Sequence, residues 1–139
     1  MTLSESMRTW LLGCPTIAGL NVDWLAPESG GFSLDSTPSN PVDKQYLDGS
    51  SIRHQDFVLA SRNYYGELTT EQLANLEDME SIQSWIETQI RLRNYPALDA
   101  GKTPRKVEVT TSGYRYSREE ETARYQMQLR LTYYQQGAR

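Results

Sequence analysis

The sequence predicts an α+β domain: a mainly antiparallel, twisted sheet with a long C-terminal hairpin, packed against one long helix and a short N-terminal helix. Three observations predict it. Residues 122–135, TARYQMQLRLTYYQ, alternate apolar and polar side chains with the two-residue period of a strand. Residues 69–90 place apolar side chains at three- and four-residue steps, the period of a helix packed on one face. Asp48-Gly49 separates two strand-like runs and favours a tight hairpin turn. At 139 residues the chain is expected to form one domain, 1–139, large enough to bury a core without disulfides or metals.

Each element has a local reason. In LSESMRTWLLGCP, Leu3, Met7, Trp10, Leu11 and Cys14 share one helical face, and Gly13 and Pro15 end the run. GLNVDWLA alternates Leu20, Val22 and Trp24 against Asn21, Asp23 and Leu25, as a strand does. Residues 27–41 hold three Pro, two Gly and four Ser around only Phe32 and Leu34, which reads as a long loop with at most one short edge strand. Residues 42–62 read as two strands meeting at Asp48-Gly49, with Phe57, Leu59 and Ser61 on one face of the second and Val58 and Ala60 on the other.

The long helix opens at Thr69, with Gln72 three residues on in the form of a capping box. Leu73, Leu76, Met79, Ile82, Trp85, Ile86 and Ile90 form its apolar stripe, with uneven spacing near Asp78 that leaves room for a break. Its charges run from acidic to basic along the axis, which suits the macrodipole. After the connector YPALDAGKTP, the runs RKVEVTTSGYRYS and TARYQMQLRLTYYQ, separated by REEE, form the long hairpin. On the last strand Ala123, Tyr125, Met127, Leu129, Leu131 and Tyr133 face a core, while Arg124, Gln126, Gln128, Arg130, Thr132 and Tyr134 face water or a neighbour.

Composition narrows the function classes. Hydrophobic content of 37% and a mean hydropathy of -0.66 describe a folded, non-membrane chain. No signal-peptide succession opens it, so synthesis and folding in a cytoplasm are expected. The single cysteine, Cys14, reads as a small buried hydrophobe. Fourteen Lys plus Arg against eighteen Asp plus Glu give a net charge of -4, which argues against general affinity for phosphate backbones.

Motifs for catalysis or cofactors are weak. AGKTP at 100–104 resembles the end of a phosphate-binding loop, but the first glycine of that motif would fall on Pro96, and Pro104 opposes the following helix. His54, the only histidine, is expected to be a solvent-facing hairpin residue rather than a metal ligand or triad member. Glu119, Glu120 and Glu121 read as a solvated hairpin tip. Arg124, Arg130 and Tyr134 could stack on single-stranded bases, a minor reading in an acidic chain. No cofactor, metal or catalytic residue is expected.

The length of the last strand points to assembly. A chain of this size has a compact width of roughly 37 Å, whereas fourteen strand residues reach about 46 Å. The hairpin therefore coils around the body or projects from it, and projecting edge groups are expected to be paired by a partner subunit. Asp48, Arg53, Arg124, Gln126, Gln128, Arg130 and Tyr134 are the candidate interface residues, since Tyr and Arg are enriched at subunit contacts.

NVDWL, NPVDKQYLDGSSIRHQDFVLASR, SWIE, YPALDAGKTPRKVE and TARYQMQLRLTYYQ together resemble the minor capsid or tail-completion proteins of long-tailed bacteriophages, over about Trp10 to Gln135. The resemblance implies a tail terminator: a ring, commonly of six copies, that caps the tail tube on its head-proximal side in the virion's neck. Implied partners are further copies of the chain, the tail tube protein, the head-tail connector, and DNA passing through the lumen without specific binding. Glu119, Glu120 and Glu121 are then expected near a ring opening or surface. A head-side neck protein and a monomeric nucleic-acid-binding domain are the alternatives. The charge balance predicts that the protein flows through a heparin column at moderate salt, and retention would favour the nucleic-acid alternative.

Overall fold

The computed structural model describes residues 2–17, 19–22, 31–37, 41–64, 69–119 and 122–137. The elements follow in the order α1 (Leu3–Leu11), β1 (Asn21–Val22), β2 (Gly31–Thr37), β3 (Val42–Gln45), β4 (Ser51–Tyr64), α2 (Thr69–Arg91), β5 (Lys102–Glu119) and β6 (Thr122–Gln135). The strands form one six-stranded sheet in the order β1-β2-β4-β6-β5, with β3 paired to β4. All pairings are antiparallel except that of β1 with β2. This is the expected α+β architecture, with its C-terminal hairpin and its two helices.

The long strand is the sheet's spine. β4 pairs with β6 without interruption over fourteen residue pairs, from Ser51↔Gln135 to Tyr64↔Thr122. β5 occupies the other edge of β6, so β6 is interior, and the hairpin's outer edge is that of β5. Its length is matched by β4 in the same chain, and two strands of equal reach set the long dimension of the domain together.

The two-residue alternation sorts side chains by face. Phe57 and Leu59 of β4 and Tyr125, Met127, Leu129 and Leu131 of β6 are fully buried. Against this face pack Met79, Ile82 and Ile86 of α2, also fully buried. Burying each such side chain contributes about 1.5–3 kcal/mol, so this stripe outweighs any surface interaction of the domain. Helix α2 is continuous through Asp78, so the uneven spacing there makes no break, and Leu76 is exposed rather than part of the stripe. The side chains of Thr69, Gln72 and Leu73 lie outside the described residues.

Helix α1 closes the same layer. Thr2 caps it by accepting a hydrogen bond from the Glu5 amide at 3.1 Å. Met7, Leu11 and Cys14 are buried as their spacing requires. The Trp10 indole donates to the Asn94 carbonyl at 2.8 Å and meets Trp85 with ring centroids 5.2 Å apart, which joins α1 to the C-terminal end of α2.

Two stretches differ from expectation. Residues 31–37, expected as loop or edge, form a strand held by β4 along one side and by β1 on the other. Phe32 and Leu34 enter the core, and Ser33 is buried, so tertiary position overrides a composition that reads as loop. β1 itself is only two exposed residues; Asp23, Trp24 and Leu25 lie outside the described residues. Strand β5 starts at Lys102, three residues earlier than the sequence suggested, and Pro104 is tolerated there because β5 is an outer strand.

β5 holds four more residues than the fourteen of β6, and four register shifts absorb them. Such bulges turn the backbone away from a regular ladder and blunt an edge against further strand pairing. One shift, between Thr111 and Tyr114, contains Gly113. A Cβ there would lie 2.6 Å from Met79 Cβ, so glycine is what lets α2 settle onto the outer strand. Gly113→Ala is expected to destabilise the fold by about 1–3 kcal/mol, read as a lower urea midpoint. Ser112→Ala, an exposed neighbour, is the control and is expected to stay within about 0.5 kcal/mol of wild type. Equal midpoints for the two variants would contradict the close approach.

Candidate interaction surface

Both helices lie on one face of the sheet. The other face is formed by even-numbered residues of β4 and β6, with their neighbours on β2 and β5, and it is polar and cross-linked. Arg130 sits opposite Asp56 in the register and forms a forked pair with it, Nε to Oδ1 at 2.7 Å and Nη2 to Oδ2 at 3.3 Å. The hydrogen bond to Asp56, and then its charge, raises the Arg130 pKa further above its ordinary value. The fork geometry favours the pair, but solvent reaches both groups and limits its stabilisation to about 1 kcal/mol.

Toward the hairpin end, Arg124 Nη2 is 3.6 Å from Asp35 Oδ2, and its guanidinium stands 5.6 Å from the Tyr116 ring centre. Gln126 donates to the Tyr114 hydroxyl at 2.7 Å, and Gln128 accepts from the Thr111 hydroxyl at 3.0 Å. The side chains on this face are thus held in place before any partner arrives, which lowers the ordering cost of a contact. A shallow depression of about 400 Å³ opens among Thr37, Asp56, Val58, Thr111, Gln128 and Arg130.

Five of the seven candidate interface residues, Arg124, Gln126, Gln128, Arg130 and Tyr134, therefore belong to one face. Arg53 does not. It pairs with Tyr133, whose side chain is in the core, so Arg53 lies on the helix-bearing face, where its Nε donates to the Ser51 hydroxyl at 2.9 Å. Asp48 is apart from both groups, at the β3–β4 turn. Of the acidic run, Glu119 ends β5 opposite Thr122, its side chain outside the described residues, as are Glu120 and Glu121.

His54 is a correction. It is buried, and its Nδ1 is 2.6 Å from Asp43 Oδ1; it is not solvent-facing. Its Nε2 turns toward Asp56 Oδ2 at 4.0 Å. A carboxylate at each ring nitrogen makes His54 a tie between β3 and the polar face. A nucleophile activated by this imidazole would need a hydroxyl or thiol where Asp56 stands, and Cys14 is buried in the helix layer. The 100–104 segment also departs from a phosphate loop: Gly101 leads into a strand, and no helix N-terminus follows to receive an anion. Among the described residues no group of three or more His, Cys, Asp or Glu could hold a metal ion, and no helix is long and apolar enough to cross a membrane.

The β3–β4 turn is braced from within. Ser50 donates to Asp48 Oδ1 through its amide at 2.9 Å and its hydroxyl at 2.5 Å, and the Tyr46 amide donates to the Ser50 carbonyl at 2.9 Å. Gly49 adopts a φ of 89°, the left-handed conformation this turn needs. The Ser50 hydroxyl, and then its amide, holds the Asp48 carboxyl below its usual 3.8. Because the folded carboxyl binds its proton less readily than an unfolded one, its contribution is complete above about pH 3.8 and is lost as pH falls through the lower folded value. Asp48→Asn is expected to flatten the acid limb of the stability-pH curve in that range, measured by denaturant midpoints against wild type. An unchanged acid limb would contradict the assignment.

No protein-family model matches the chain, and no curated protein is significantly similar to it, so what these surfaces do has to follow from their own chemistry.

Proposed function

We propose that this chain is a structural virion protein: a tail terminator that closes into a ring on the head-proximal end of a phage tail tube, stops tube growth and offers the joining surface for the head's connector. The observation that carries the reading is a polar sheet face on which no helix packs among the described residues. Among the described residues helices pack on one side only, and the other carries Arg124, Gln128 and Arg130, each partly exposed and held by a partner on a neighbouring strand, with Gln126 buried beside them and Tyr134 on the same face. Ordered Arg, Gln and Tyr side chains suit a wet subunit interface. The resemblance of NVDWL, SWIE, YPALDAGKTPRKVE and TARYQMQLRLTYYQ to stretches of phage tail-completion proteins supports the same reading.

The chemistry of closure follows. Tube subunits stack through a repeating heterologous contact that propagates unless it is ended. A terminator ends it by matching the tube on one ring face and presenting a different surface on the other. Its copies do not join by continuing the sheet at β5, whose outer edge is bulged and carries Pro104. They meet through side chains. Six copies at -4 each carry -24, and a lumen of that sign lets DNA slide during ejection without adhering. The protein is made in the host cytoplasm and resides in the neck of the virion; it is a building block and performs no catalysis.

Light scattering on concentrated protein tests this reading. The ring predicts a species near six times 15.9 kDa, about 95 kDa, and a chain that remains monomeric at every concentration and with tail tubes present would count against it. Depletion during infection separates the two neck positions: overlong tails support a terminator, and tails of normal length that fail to join heads support a head-side protein.

A further inference from the structure

We propose that His54 is a proton-operated switch on Arg130: the neutral imidazole leaves both oxygens of Asp56 to the guanidinium, and the imidazolium takes one of them away. His54 is the only histidine of the chain, and its side chain is 11% exposed. The switch is internal to one copy, so it holds whether or not the polar face joins copies.

The tautomer of the neutral ring follows from its shortest contact. His54 Nδ1 lies 2.6 Å from Asp43 Oδ1, and an ionised carboxylate only accepts. Nδ1 therefore carries the proton, and Nε2 presents a lone pair. That lone pair faces a second acceptor, Asp56 Oδ2, at 4.0 Å, a separation beyond hydrogen bonding. Asp56 meanwhile holds Arg130 with unequal arms, 2.7 Å at Oδ1 and 3.3 Å at Oδ2. The oxygen that faces His54 is the one that Arg130 holds less tightly.

A second proton on the ring reverses the allocation. Nε2 becomes a donor, and a charge-assisted bond to Oδ2 at the usual length of about 2.8 Å requires the 4.0 Å gap to close by about 1.2 Å. Burial decides the competition between the two cations. A charge withdrawn from water needs a partner more than one that solvent reaches, and Arg130 is 41% exposed against 11% for His54. Arg130 keeps its Nε bond to Oδ1, while its Nη2 arm is released. That arm opens on the depression among Thr37, Thr111 and Gln128, within the candidate interaction surface.

The other charged groups nearby leave this exchange to His54, Asp56 and Arg130. On β3, Lys44 is exposed and stands over the Tyr46 ring. On β5, Glu108 lies opposite Arg130 and is 3.5 Å from Lys106. On β6, the residue opposite His54 is the uncharged Thr132, and Arg53 belongs to the helix-bearing face. Around the neutral ring, two carboxylates stand against one guanidinium, so the added proton balances the second carboxylate.

Long-range proton–nitrogen NMR of the labelled full chain tests the switch, because one histidine gives one pair of ring signals. Imidazoles change charge between about pH 5 and 8, so spectra are recorded across that range. At its upper end Nδ1 is expected to be protonated and Nε2 not. Toward its lower end Nε2 is expected to gain a proton, and the Arg130 side-chain signals are expected to shift with the same midpoint. In His54→Gln, which stays uncharged, that Arg130 shift is expected to be lost. The wild-type titration decides by itself should this variant not fold. A neutral ring protonated on Nε2, an imidazole that gains no proton in the range, or Arg130 signals that do not follow its midpoint would each overturn the proposal. An Arg130 shift that survives in folded His54→Gln would overturn it as well.

Discussion

The pairing of β4 with β6 is the constraint on which the remaining structure depends. Because fourteen consecutive residue pairs hold one register, every side chain on these strands is committed to one of two faces, and a slip of one position would exchange the faces wholesale. Phe57, Leu59, Tyr125, Met127, Leu129 and Leu131 face the helices together. Arg130 meets Asp56, and Gln128 and Gln126 meet their partners on β5. Burial of the apolar face stabilises the fold more than these individual polar contacts do, so it is the burial that fixes the register. The polar contacts on the far side follow from it.

Much of this was legible because it is local. The strict alternation of β6, the helical spacing of Leu3, Met7, Trp10 and Leu11, and the Asp48-Gly49 turn each need only near neighbours in sequence. What was not legible depends on which segments lie side by side. Residues 31–37 suggest loop with a short edge strand at most, yet become a seven-residue strand because β4 supplies a partner and the helix layer receives Phe32 and Leu34. The β5–β6 hairpin was expected, but nothing in the composition of β6 tells that β4 pairs along its other side. His54 read as exposed because Asp43, eleven residues away, is brought to it only by the hairpin. Arg53 could have been assigned correctly, since it shares odd parity on β4 with Phe57 and Leu59. The close approach of α2 to β5 had no signal in the sequence beyond an isolated Gly113.

These features bear on function through what they leave uncovered. A sheet with helices on one face, a blunted outer strand and a stiff turn has few ways to associate with copies of itself. Sheet continuation is disfavoured by the bulges of β5. Contacts through side chains on the polar face remain. Such contacts suit a particle component that must join its neighbours once, in one orientation, and then stop.

Amide hydrogen exchange resolved along the chain tests the central claim most directly. If β4 and β6 form the spine, their amides exchange only through global unfolding, while amides at the bulges of β5 and along the β3–β4 turn exchange through smaller local openings. Exchange in β6 as fast as in β5 would contradict the account, because the register that separates the apolar face from the polar one would then be no more secure than the edge of the sheet.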